Sequence, residues 1–157
     1  MSQIVIDAID RKILKYLITN ARMPFLEIAR KCGISGAAIH QRIKKLDESG
    51  VILGSRLVVD PKMLGFDVCA YVGIRLQDVS IQVQTVDRLR QIPEIVECHF
   101  ITGSYNLFIK IYCVDNEHLM NTLCDRILSI PGISTTQTYI SLNEAFQRQI
   151  YVDCLHD

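Results

Sequence analysis

Apolar residues recur at helical spacing in the first third of the chain and alternate along much of the rest. Over residues 7–20, Ile9, Ile13, Leu14 and Leu17 share one helical face, with Asp7 as cap and Asp10 in the first turn. Ile28, Ala29 and Cys32 give a second short helix its apolar stripe, and Gly33 stops it. Ser35 caps a third helix over 35–48, on which Ile39, Ile43 and Leu46 recur. Glu48-Ser49-Gly50 closes that helix. Val51–Val59 then alternates, which predicts two short strands turning near Leu53-Gly54-Ser55, a wing. Asp60-Pro61 begins a connector, and Gly65-Phe66 leads into new structure.

The rest of the chain contains an internal echo. Ile92-Pro93-Glu94-Ile95 and Ile130-Pro131-Gly132-Ile133 each follow an amphipathic stretch and precede a strand pattern. The first unit reads as strand 69–76, helix 80–91 and strand 96–102. The second reads as strand 107–114, helix 116–129 and strand 135–142. Each Pro ends its helix, because it disfavours helix at the residue before it. Together the two units predict βαββαβ, the ferredoxin-like pattern, so the fold class is α+β. Both helices fall on one side of such a sheet. The open face is expected to carry apolar residues and to meet a partner sheet. A last segment, 147–154, is expected to add an edge strand or to reach a second subunit.

With 157 residues, the chain has room for one good core or two small domains. The division expected is 1–60 and 61–157. Net charge is zero, but residues 1–60 hold 10 Lys+Arg against 6 Asp+Glu, a net +4, and the remainder is −4. A basic first part and an acidic second part point to a division of labour. No apolar run reaches membrane-spanning length and the first residues show no signal-peptide pattern, so a soluble cytoplasmic protein without a membrane partner is expected. The six cysteines lack CxxC spacing and read as buried free thiols. The four histidines form no ligand cluster, so neither a metal nor a cofactor is expected.

The third helix carries the candidate chemistry. Opposite its apolar stripe lie Ala37, His40, Gln41, Lys44 and Lys45. Small and hydrogen-bonding residues at the start of a helix, with lysines further on, suit the major groove of double-stranded DNA. Lys44 and Lys45 are candidates for phosphates and Gln41 for a base edge, while His40 suits either. Ser35 caps this helix, and Arg56, just past the wing turn, is placed for a phosphate or the minor groove.

At this point the chain resembles a known family. IDRKIL, NARMPFLEIARKCGIS, RIKKLDESGVILGSRLVVDPKMLGFDV, TGSYNLFIK and IPGISTTQTYISL stand in the order found in the Lrp/AsnC feast-or-famine regulators, and TGSYNLFIK with LGFDV looks more like the AsnC branch. The resemblance covers nearly the whole chain. It implies an N-terminal winged helix-turn-helix and a C-terminal ferredoxin-like sensing domain. It implies dimers, commonly assembled into octamers, and a small amino acid that changes assembly or affinity for a promoter or operator. It maps the effector loop to Thr102, Gly103, Ser104, Tyr105 and Asn106, with a second wall at Thr136, Gln137 and Thr138. Many relatives carry acidic residues at the positions of Ser104 and Asn106; here both are neutral. Gly36 stands where many relatives have Pro.

No catalytic residues are expected. Siroheme decarboxylases share the two-domain plan, but no His lies between Gln41 and Glu97, and no phosphate loop or paired carboxylate motif is present. A DNA-organising protein whose second domain serves assembly alone is the remaining alternative. The polar residues near the proposed pocket favour asparagine or glutamine as effector.

Overall fold

The computed structural model describes residues 5–152. Cys154 and His156 lie outside the described residues. Two compact units are formed: residues 5–58 with 146–152, and Val59–Ala145. The last segment groups with the first unit.

The first unit is built on three helices. α1 (Ala8–Thr19) starts in a capping box. Asp7 Oδ1 accepts from the backbone N–H groups of Ile9 at 2.9 Å and Asp10 at 2.8 Å, and Asp10 Oδ2 accepts from the Asp7 N–H at 3.3 Å. α2 (Phe25–Cys32) ends at Gly33, whose φ of 69° is left-handed and lets Ile34 N–H reach back to Ala29 O. α3 (Gly36–Glu48) starts at Ser35, whose Oγ accepts from Ala38 N–H at 3.2 Å. Ile13, Ile28, Ala29, Ile39 and Ile43 close one core cluster. Leu14, Leu46 and Val152 close another.

The predicted wing does not form. Val51 and Ile52 donate back to Leu46 O, but residues 53–59 enter no ladder, and Leu53 and Val58 stay 95% and 82% exposed. Alternation supplies the side-chain pattern of strands, yet an isolated two-stranded ribbon is marginal in water. The closing segment is likewise neither edge strand nor ladder over 143–151; Val152 instead enters the core beside Leu14 and Leu46.

The second unit is the expected βαββαβ. Its elements are β1 (Val68–Leu76), α4 (Gln82–Leu89), β2 (Ile95–Phe100), β3 (Leu107–Cys113), α5 (Asn116–Asn121) and β4 (Ile133–Ser141). The strand order is β2-β3-β1-β4, antiparallel throughout. α5 continues as a wider π turn over Thr122–Ile127, in which Leu128 N–H reaches Leu123 O, five residues back. Val72, Ile74, Ile109 and Ile111 join Leu89, Leu119 and Ile127 in one aliphatic core. Glu94, in the first IPEI turn, accepts from Arg126 Nη1 at 2.6 Å and lies 3.1 Å from His118 Nε2, so it ties β2 to α5.

The open face differs from the apolar surface expected of it. Alternation puts Tyr71, Phe108, Lys110 and Tyr112 there. Lys110 is 5% exposed, with its Nζ 5.7 and 5.2 Å from the ring centres of Tyr71 and Tyr112, and 3.9 and 3.7 Å from Glu97 and Glu144. Burial works against the ammonium, but Tyr112, Tyr71 and Glu97 outweigh it and raise its pKa. The face is aromatic around a buried cation. The expectation for cysteine also needs correcting. Cys113 is buried and Cys32 and Cys69 are partly so, but Cys98 and Cys124 are exposed, because they lie on an edge strand and the outer side of a helical turn.

Candidate nucleic-acid interface and effector loop

Helical periodicity sorts α3 cleanly. Ile39, Ile43 and Leu46 point inward, while Ala37, His40, Gln41, Lys44 and Lys45 are exposed. His40 meets the ring of Phe25 edge to face at 5.4 Å. Lys44 is 75% exposed and pairs loosely with Glu48 at 3.6 Å. Lys45 turns toward the start of α1, with its Nζ 3.9 Å from Asp10 and 3.4 Å from Val5 O. Arg56 is exposed on the segment that replaces the wing strands. Gly36 lets α3 start close to α2: a Cβ there would lie 3.0 Å from Leu26 Cδ2.

The sequence reading missed Arg42. One of its guanidinium nitrogens lies 2.7 Å from both Asp7 Oδ2 and Asp10 Oδ1. Asp10 is fully buried, so this contact supplies its counter-charge. The Asp10 N–H and the Arg42 guanidinium hold the Asp7 carboxyl below its usual range, and the two carboxylates raise Arg42. The bridge joins the cap of α1 to the middle of α3. No local pattern announces it, because the partners are 32 and 35 residues apart.

In the second unit, Thr102–Asn106 forms the β2–β3 loop, turning at Gly103 with φ 110°. Asn106 is held on all sides. Its N–H donates to Ile74 O at 2.9 Å and its Oδ1 accepts from Leu76 N–H at 2.8 Å. Its carbonyl accepts from Ile101 N–H and from Gln82 Nε2. Tyr105 lies over Gly73, where a Cβ would come within 2.6 Å of its ring, and its hydroxyl donates to Gln137 Oε1. A lone glycine in a strand pattern signals such a close approach. Arg75 Nε donates to Ser104 O at 3.0 Å.

The structure does not bring the three residues of the expected second wall together. Gln137 pairs with Gly73 and shares its face. Thr136 and Thr138 pair with Ile74 and Val72, and therefore point to the helix side. Strand alternation makes this split unavoidable. Thr102, Gly103 and Ser104 are exposed, and Tyr105 and Asn106 are half-buried.

These two parts define a class of protein: a helix-turn-helix unit with a readable helix, joined in one chain to a ferredoxin-like unit of the ligand-binding kind. Known proteins narrow it. Residues 6–47 match the AsnC-type helix-turn-helix domain and residues 69–151 match the Lrp/AsnC ligand binding domain. Regulatory protein AsnC of Escherichia coli K12 is 36% identical over 150 residues, 96% of this chain and 99% of that protein. The solved E. coli AsnC superposes with a TM-score of 0.89, covering 94% of this chain and 99% of that one. The transcriptional regulator FL11 of Pyrococcus horikoshii is 37% identical over 89% of this chain and 91% of its own. A feast or famine regulatory protein from Mycobacterium tuberculosis, solved in complex with L-methionine, is 25% identical with a TM-score of 0.87, over 94% of this chain and 99% of that one. The chain belongs to the Lrp/AsnC family of transcriptional regulators. Its relatives are named as regulators. No helix among the described residues is long and apolar enough to cross a membrane.

Proposed function

We propose that this chain is a cytoplasmic regulator that reads a palindromic promoter or operator site through α3, as a dimer that assembles further, up to an octamer. One observation carries the reading. Ala37, His40, Gln41 and Lys44 are exposed along one side of a helix whose other side is locked into the core by Ile39, Ile43 and Leu46. Ser35 fixes the helix start, and Lys45 and Arg56 supply charge at its flanks. Lys44 and Lys45 take phosphates, and Gln41 reads a base edge. The salt dependence of binding to a promoter fragment tests this. Replacing Lys44 and Lys45 together by Ala is expected to weaken binding and flatten the slope by about 2, one per phosphate contact. An unchanged slope rejects the assignment.

The effector proposed is a small amino acid, with asparagine or glutamine first, held by Thr102, Gly103, Ser104 and Tyr105 with Asn106 as the loop's anchor and Gln137 beside Tyr105 on the same sheet face. Support comes from the exposed hydroxyls of the loop and from the relative solved with L-methionine. A thermal-shift titration against the twenty amino acids checks it. Saturation at about 100 times Kd adds about 2.7 kcal/mol of stability. A second reading, DNA organisation without an effector, is favoured by one observation: the Asn106 Oδ1 is already taken by Leu76 N–H. That reading predicts a flat screen.

A further inference from the structure

The rim formed by the β2–β3 loop is rich in donors and lacks any carboxylate. The backbone N–H groups of Thr102, Gly103, Ser104 and Tyr105 make no hydrogen bond among the described residues. No acidic residue occurs between positions 98 and 109. Beside the loop stands Arg75. Its Nε is spent on Ser104 O at 3.0 Å, which lays the guanidinium along the loop and leaves both terminal nitrogens without a partner among the described residues. It has no ion pair there, unlike Arg42, Arg90 and Arg126.

Arg75 is aimed by the sheet. The register places Arg75 opposite Thr135 and Leu76 opposite Ile133, so the extra residue is Ser134 on β4, whose Oγ donates to Arg75 O at 3.0 Å and ties the Arg75 backbone in place. Alternation puts Arg75 on the same face as Gly73 and the Tyr105 ring that covers it. An exposed guanidinium, anchored through Nε and free at both ends of its fork, matches the two oxygens of a carboxylate.

We infer that Arg75 is the residue that binds the α-carboxylate of the effector. The inference rests on the amino-acid-sensing reading above and assigns the ligand's orientation: carboxylate toward Arg75, side chain away from it. The terminal nitrogens of Arg75 donate two charge-assisted hydrogen bonds, and the loop N–H groups line the same rim.

The test uses the full chain as wild type, Arg75→Gln and Arg75→Lys, titrated with the twenty L-amino acids and with the α-carboxamides of those that bind. Wild type is expected to bind at least one amino acid, and its α-carboxamide at least roughly tenfold more weakly, the size of a lost charge-assisted pair. Arg75→Gln loses affinity by a similar factor. Arg75→Lys falls between, because it keeps the charge and loses the fork. Equal affinity of wild type and Arg75→Gln, or of acid and amide, overturns the role of Arg75 alone. No response of wild type to any amino acid overturns the sensing reading, and this assignment with it. If Arg75→Gln does not fold, the acid-against-amide comparison in wild type, together with Arg75→Lys, still decides.

Discussion

The recognition helix and the effector loop are held in opposite ways. α3 is a periodic element: its inner side is three aliphatic residues, and its outer side follows from their spacing. The Arg42 bridge, with the weaker reach of Lys45 to Asp10, adds to what the helix determines for itself. The loop at 102–106 has no period. Its place comes from Ile74 and Leu76 for Asn106, from Gly73 for Tyr105 and from Arg75 for Ser104, all about thirty residues earlier in the chain. A binding face on a helix survives as long as the helix packs. A binding loop hung on a strand depends on each tie.

This comparison breaks most readily at Arg42. Arg42→Met removes the nearer counter-charge of the buried Asp10 carboxylate, leaving only Lys45 at 3.9 Å, and is expected to cost about 3 kcal/mol in chemical denaturation of the first unit. Adding Asp10→Asn should recover much of that loss. A cost below about 0.5 kcal/mol for Arg42→Met would show that α3 is held by its apolar side alone. The corresponding break in the loop is Gly73→Ala. The new methyl meets the Tyr105 ring, which must move, at a cost of about 1–3 kcal/mol. The amino-acid response should be lost with it, while binding of DNA without effector should survive. Loss of both together would count against treating the loop as a separate device.

A smaller effect sharpens the electrostatic side. Burial raises the Glu94 pKa, but its backbone hydrogen bond, His118 and Arg126 outweigh burial and hold it below the ordinary 4.5. A carboxyl lowered on folding stabilises above its unfolded pKa, and that contribution is lost as pH falls through the folded value. Glu94→Gln is therefore expected to cost about 1–2 kcal/mol at neutral pH, with the gap to wild type closing below about pH 4.5. A gap that stays constant into acid would mean that shape, not charge, ties β2 to α5. The smallest effect belongs to Lys44. Its pair with Glu48 is exposed, so Lys44→Ala should change stability by less than about 0.5 kcal/mol. It should still lower DNA affinity and reduce the salt slope by about 1. A stability loss without a DNA effect would reverse the roles given to the two faces of α3.

Much of this architecture was legible in the order of residues. Asp7 and Ser35 cap their helices, Gly33 ends α2, and the two Ile-Pro turns mark the repeated βαβ units, because each acts on its own neighbourhood of a few residues. The same local logic overreached at 51–59. Alternation there describes a strand, and a strand needs a ladder partner that this segment does not find. It overreached again at Thr136 and Thr138, which flank Gln137 in sequence and face away from it in the sheet.

By itself, then, the sequence determined the helices of the first unit, their inner faces, the βαββαβ succession of the second and the family to which the chain belongs. These are properties of short-range spacing and of motif order. Only the tertiary structure decided that Arg42 faces Asp7 and Asp10, that Tyr105 rests on Gly73 and that Arg75 lies along the loop with its fork unpaired. Those pairings join residues about thirty positions apart. Nothing in the local chain encodes them, because the distance between such groups is set by how the sheet registers and how the helices pack.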